Sequence, residues 1–127
     1  MYFQYDRRRQ QRIEIPEAKT YFRFEQLADP EDMYEGPEKL IDLSKGGISF
    51  ETTKTVATDD ILWVKLAIPD EESLILKGIV RWTGRIPRSR KIRIGLRFTL
   101  FGREEKYNSP AALERLENLQ ERFGRPG

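Results

Sequence analysis

Four arginines, Arg7, Arg8, Arg9 and Arg12, crowd the start of this 127-residue chain, and Asp42-Leu43-Ser44-Lys45-Gly46-Gly47 follows some thirty residues later. A guanidinium is planar, permanently charged and forked, so it pairs with anions and with two neighbouring acceptors at once. The Asp-x-Ser-x-x-Gly run supplies a carboxylate acceptor and a hydroxyl. Its glycine has no Cβ, so the backbone there can take a positive φ or allow a ligand to come close. Both groups also have a plain reading: arginines on a solvated arm, and a tight turn capped by its own Asp and Ser side chains. The turn reading accounts for residues 42–47 and leaves the arginines without a purpose.

Composition removes most catalytic alternatives. The chain has no cysteine and no histidine, hence no thiolate nucleophile or zinc site and no imidazole base. The acidic stretch with Asp29, Glu31, Asp32 and Glu35 has no matching base or nucleophile, and no Walker-type phosphate loop is present. The expectation is a protein that is not an enzyme and needs no cofactor. No apolar run approaches the roughly 18 residues of a membrane span, and residues 1–11 lack the apolar segment of a secretory signal. This leads to the expectation of a cytoplasmic protein with no membrane span.

The net charge is only +2, but the signs are segregated. Arg81, Arg85, Arg88, Arg90, Lys91, Arg93 and Arg97 run without a carboxylate, and residues 25–38 carry acids without a Lys or Arg. If the two basic segments meet in space, they form an anion site.

The elements that must position these residues follow from periodicity. Residues 1–11 have none and read as an extended arm. Strands are expected at Thr20–Gln26, Lys39–Leu43, Gly47–Thr52, Ile61–Ile68, Ser73–Thr83 and Lys91–Leu100, with loops at Ala28–Pro37 and Gly84–Ser89. Leu62, Val64, Leu66 and Ile68 share one inward face, as do Leu74, Leu76 and Val80, and then Ile92, Ile94, Leu96 and Phe98. Six short strands at this spacing indicate an antiparallel barrel or sandwich. Ser109 as N-cap, Pro110 in the first turn and the stripe Leu113, Leu116, Leu119 and Phe123 predict an amphipathic helix that Gly124 stops. Packing on the barrel accommodates that stripe, with a helix-mediated dimer as the alternative.

Arg-x-x-x-Arg near the start, joined to Asp-x-Ser-x-x-Gly at a strand-to-strand turn, resembles the bipartite signature of PilZ domains. Gly78-Ile79-Val80-Arg81-Trp82 is similar to the G-x-V-x-W strand of that family, Gly95-Leu96-Arg97-Phe98 is similar to its GVxF strand, and a helix follows. The resemblance implies a mainly β fold, a six-stranded antiparallel barrel with a C-terminal α-helix. It divides the chain into an arm at 1–12, a barrel at 13–108 and a helix at 109–124 packed on the barrel. It implies a receptor for cyclic diguanylate (c-di-GMP) that signals to an effector protein as its arm orders over the ligand. The implied ligand residues are Arg7, Arg8, Arg9, Arg12, Asp42, Ser44 and Gly47. Arg8 and Arg12 suit the O6 and N7 edge of guanine or a phosphate, Arg9 a phosphate, and Asp42 the N1 and N2 donors. In this family an arginine just before the pair accompanies an intercalated ligand dimer. Arg7 holds that place, and monomeric and dimeric ligand both remain open. Trp82, beside Arg81 and Arg85, is either core or a stacking platform for a guanine. Two alternatives stand beside the receptor reading: a degenerate domain that binds protein only, and a barrel for single-stranded nucleic acid, with no specific nucleic acid expected.

Overall fold

The computed structural model of the chain describes residues 12–25, 34–104 and 107–124. Strands β1 (Lys19–Phe24), β2 (Glu35–Leu43), β3 (Gly47–Thr52), β4 (Ile61–Ala67), β5 (Leu74–Arg85) and β6 (Ile92–Phe98) precede helix α1 (Pro110–Phe123). Every pairing is antiparallel, and the order β1-β2-β3-β6-β5-β4 closes because β4 returns to β1. Closure leaves no sheet edge to protect.

Alternation builds the interior. Leu62, Val64 and Leu66 of β4, Leu74, Leu76 and Val80 of β5, and Ile94, Leu96 and Phe98 of β6 are all buried, while Ile92 is only partly so. Phe22 of β1 meets Phe50 of β3 with ring centroids 5.4 Å apart. Fully burying each such side chain contributes about 1.5–3 kcal/mol. Ile13 and Ile15 join this core ahead of β1. Ile13 also exchanges backbone hydrogen bonds with Leu43, at 2.8 and 2.9 Å.

Several boundaries differ from the sequence reading. The segment expected as a loop through Pro37 instead gives up Glu35, Gly36 and Pro37 to β2. Gly36 makes this feasible. Its φ is 139°, and a Cβ there would lie 2.8 Å from the Thr20 carbonyl oxygen. The loop expected from Gly84 begins later, since Gly84 and Arg85 still pair with Arg93 and Ile92. On the helix, Ala112 is buried with Leu116 and Leu119, whereas Leu113 is half-buried. The stripe is therefore centred to one side of the expected line.

Helix α1 is held at both ends. Asn108, itself buried, accepts the Lys77 N–H at 2.7 Å and donates to the Lys77 and Thr99 carbonyls at 2.9 and 3.2 Å, so its side chain works like an added strand residue. Ser109 then caps the helix by accepting from the Ala112 N–H at 3.1 Å. The chain leaves at Gly124, where φ is −77° and the backbone is extended, so the stop does not use a left-handed glycine.

On the solvent side, Arg115 donates to the Glu72 and Ser73 carbonyls at 2.7 and 3.2 Å, and both Arg115 and Arg122 bond the Glu71 carboxylate. The hydrogen bond from Arg122, with support from Arg115, holds the Glu71 carboxyl below its ordinary value of 4.5. A depressed carboxylate contributes stability above its unfolded value and loses it as pH falls through the folded one. Glu71→Gln should therefore lower the melting temperature near neutral pH by an amount equivalent to at most about 1 kcal/mol for so exposed a cluster. The gap to wild type should shrink as pH is taken below about 4.5. Thermal melts across pH test this, and a gap that stays constant down to strongly acid pH would count against it.

Candidate functional site

One row of the barrel's outer surface brings together two residues that sequence reading singled out, Asp42 and Trp82, with Ser49 and Gly95 between them. Asp42 on β2, Ser49 on β3, Gly95 on β6 and Trp82 on β5 stand opposite one another across four neighbouring strands. At a strand spacing near 4.8 Å, the row spans roughly 14 Å.

Two bulges create it. In β2, Leu40 pairs with Phe50 but Asp42 pairs with Ser49, leaving Ile41 as an extra residue. In β5, Val80 pairs with Leu96 but Trp82 pairs with Gly95, leaving Arg81 extra. Strict alternation would have placed Asp42 inward with Leu40 and Trp82 inward with Val80. Each extra residue reverses the face, so both side chains come out on the same surface. Trp82 is accordingly 44% exposed and is not a core residue.

Gly95 completes the Trp82 end. A Cβ at Gly95 would sit 2.1 Å from indole Cε2 and Nε1, so the ring lies directly over the glycine. One indole face packs on backbone and the rest faces solvent.

At the other end Asp42 is held by two donors on the same oxygen. Its Oδ1 accepts from Arg12 at 2.9 Å and from the Ser49 hydroxyl at 2.8 Å. Its Oδ2 has no hydrogen-bond partner among the described residues. The Ser49 residue is only 4% exposed although it lies on the outward face, so its hydroxyl works as a fixed support beneath the carboxylate. The Arg12 and Asp42 side chains are 60% and 24% exposed.

The turn between β2 and β3 uses the remaining motif residues. The Ser44 hydroxyl accepts from the Gly46 N–H at 3.1 Å, and the Ser44 N–H donates to the Gly47 carbonyl at 2.9 Å. Ser44 therefore builds the turn, and its hydroxyl proton has no acceptor among the described residues. Gly47 does not take a positive φ. A Cβ there would lie 2.2 Å from the Leu96 carbonyl oxygen, so the glycine lets β6 approach β3. Arg97, exposed on β6, pairs directly with Gly47.

Arg12 of the arginine cluster thus meets Asp42, with Ser44, Gly47 and Trp82 on or beside the same surface. Arg7, Arg8 and Arg9 lie outside the described residues. Sequence reading missed Ser49, did not single out Gly95 for its contact with Trp82, and named Arg97 only as part of a basic stretch. Gly95 did carry a signal, since glycine inside a strand marks close approach. Ser49 was detectable only with the hairpin register in hand. The basic stretch is not wholly unpaired either, because Arg93 bridges to Glu51 at 3.3 Å.

The chain matches the family model described as PilZ domain over residues 6–115. Among solved structures it is similar to that of the Bacillus subtilis inhibitor of motility (MotI/DgrA), with a TM-score of 0.60 at 17% sequence identity. That match covers 95% of this chain and 55% of the other, so the chain spans about half of that protein's length. At this identity the likeness shows the fold, a closed barrel followed by a helix. A comparison with curated proteins gave no match.

The contact between Trp82 and Gly95 can be tested directly. Gly95→Ala should displace the indole, altering near-ultraviolet circular dichroism and tryptophan emission, and should cost on the order of 1–3 kcal/mol as an overpacked site. Spectra and stability unchanged from wild type would show that the ring does not rest on the glycine.

Proposed function

The chain belongs to the PilZ domain family, whose members are non-catalytic receptors for c-di-GMP, and from that premise we propose that it binds c-di-GMP along the row from Asp42 to Trp82 and signals by ordering of its N-terminal arm. The observation that carries this reading is the meeting of the two motif halves, Arg12 on Asp42, at one end of a row whose other end presents an exposed indole.

The groups suit the ligand's chemistry. Asp42 Oδ2 can accept from the N1 and N2 donors of guanine while Ser49 keeps the carboxylate in place. Arg12 has guanidinium nitrogens to spare for O6 and N7 or for a phosphate. Trp82 offers a surface for stacking a base, and Arg97 beside the turn adds a cation for the phosphates. Arg7, Arg8 and Arg9 precede Arg12 with only Gln10 and Gln11 between, and the four residues of extended chain from Arg12 back to Arg8 reach at most about 14 Å. That is the length of the row, so the arm is long enough to close over a ligand lying on it.

The free arrangement supports a switch. An exposed ion pair such as Arg12 with Asp42 contributes at most about 1 kcal/mol, so a ligand offering charge-assisted contacts to both partners can replace it. Ordering the arm costs entropy, which those contacts offset only when ligand is present. The likeness to an inhibitor of motility makes a motility component one candidate for the effector protein.

Calorimetric titration should show c-di-GMP binding at micromolar affinity or tighter, with cyclic di-AMP, GMP and short single-stranded DNA much weaker. Arg8→Ala and Arg12→Ala should each cost about 1–3 kcal/mol in binding and leave the fold intact. The absence of heat or of a melting shift at high micromolar c-di-GMP would sink the reading. Amide hydrogen exchange checks the switch separately. Protection should rise at residues 7–12 and 44–47 on adding ligand, with Ile61–Ile68 unchanged, and equal exchange of the arm at saturation would rule out arm closure.

A further inference from the structure

The outward face of β1, β4 and the start of β5 carries a second organised surface. Register places Tyr21, Lys65 and Ile75 in one row and Arg23, Trp63 and Lys77 in the next. Cations and aromatic rings interlock across these rows. The Arg23 guanidinium lies 5.6 Å from the Trp63 ring centroid and 5.7 Å from that of Tyr34. Lys65 Nζ lies 5.5 Å from Tyr21 and 4.8 Å from Tyr34, and Lys77 Nζ lies 5.5 Å from Trp63.

The charges are unevenly used. Lys77 is bonded to Glu25 at 3.1 Å, whereas Arg23 and Lys65 have no carboxylate partner among the described residues. Arg23 Nε is buried without a hydrogen-bond partner. Beside them Ile75 is 48% exposed, a large aliphatic side chain in the same row as Tyr21 and Lys65. We infer that this face is a docking surface for a partner protein, and that it fits an acidic segment in which carboxylates alternate with apolar side chains.

Three features point that way. Tyr, Trp and Arg are the residues that carry most binding energy in protein interfaces. The long cationic side chains are already fixed against rings, so less rotamer freedom is lost when a partner docks. Of the two cations without a carboxylate partner among the described residues, Lys65 stands directly beside the exposed Ile75 and Arg23 lies diagonally across β4 from it, which matches carboxylates set around an apolar anchor. Single-stranded nucleic acid fits less well. Base stacking needs open ring faces, and here the cations lie over the rings while the exposed group is aliphatic.

The surface is separate from the row at Asp42. The two share only β5, where Lys77 and Trp82 are five positions apart, about 16 Å along the strand. Ligand and partner can therefore be bound together, and the inference does not depend on c-di-GMP binding.

The test is amide NMR of the full chain without c-di-GMP, titrated with a short peptide alternating Glu and Leu, its Gln counterpart, oligothymidylate, and anionic phosphatidylglycerol vesicles. The Glu peptide should shift Tyr21, Arg23, Lys65 and Ile75, leave Asp42 and Gly95 unmoved, bind more weakly as salt rises, and exceed the Gln peptide. Lys65→Glu combined with Ile75→Ser should weaken it by about tenfold or more while c-di-GMP titrates as in wild type. The proposal fails if the Glu peptide leaves these amides unmoved, if the double variant binds it equally, or if oligothymidylate or vesicles bind this face more tightly.

Discussion

A β-strand that gains one residue against its neighbour changes the face of every side chain beyond it. This barrel uses that rule twice, at Ile41 and at Arg81, and the candidate site depends on both events. Without the first, a carboxylate would point into a core of Leu40, Phe50 and Phe22, where an uncompensated charge costs several kcal/mol. Without the second, an indole would compete with Ile94 for interior space that β6 already fills. The bulges remove both conflicts and deliver the two groups to one row. The interior supplies the rigidity, and the irregularities supply the chemistry.

Rigidity differs along that row in a way that suits exchange of partners. Ser49 is buried and fixed by the ladder between β2 and β6, and Gly95 lies under the indole, so the floor is set by the barrel itself. The Arg12 contact, by contrast, is exposed and belongs to a residue just before Ile13, which is buried in the core. The carboxylate therefore keeps its Ser49 support whether or not Arg12 stays.

Much of this was legible in the sequence, for physical reasons specific to each element. Ile61–Ala67 alternates without interruption, so its inward face could be read directly. Ser109 and Pro110 marked the helix start because capping is a local interaction. The bulges were not legible, since G-x-V-x-W reads as an unbroken alternation and nothing in Val80-Arg81-Trp82 declares the extra residue. The start of β2 was hidden because Gly-Pro punctuates a turn as readily as it opens a strand. Gly47 was read as allowing a positive φ or the close approach of a ligand; it takes no positive φ, and its missing Cβ admits a strand some fifty residues away, which no local pattern encodes.

The anchor of the arm fixes what a ligand at this site can move. Ile13 is buried and pairs with Leu43, the residue next to Asp42. Releasing it would break two backbone hydrogen bonds and expose an isoleucine, about 1.5–3 kcal/mol for the side chain alone. Exchanging the partners of Arg12 involves only an exposed ion pair, of at most about 1 kcal/mol. Exchanging the Arg12 contact is therefore the lower-cost change beside releasing Ile13 from the barrel. In the proposed function the change offered to a partner is therefore assigned to the residues before Ile13 and not to the barrel. The face at Tyr21, Trp63 and Lys65 shares only β5 with the row at Asp42, which suits the proposed division in which one surface holds a partner and the arm reports the ligand.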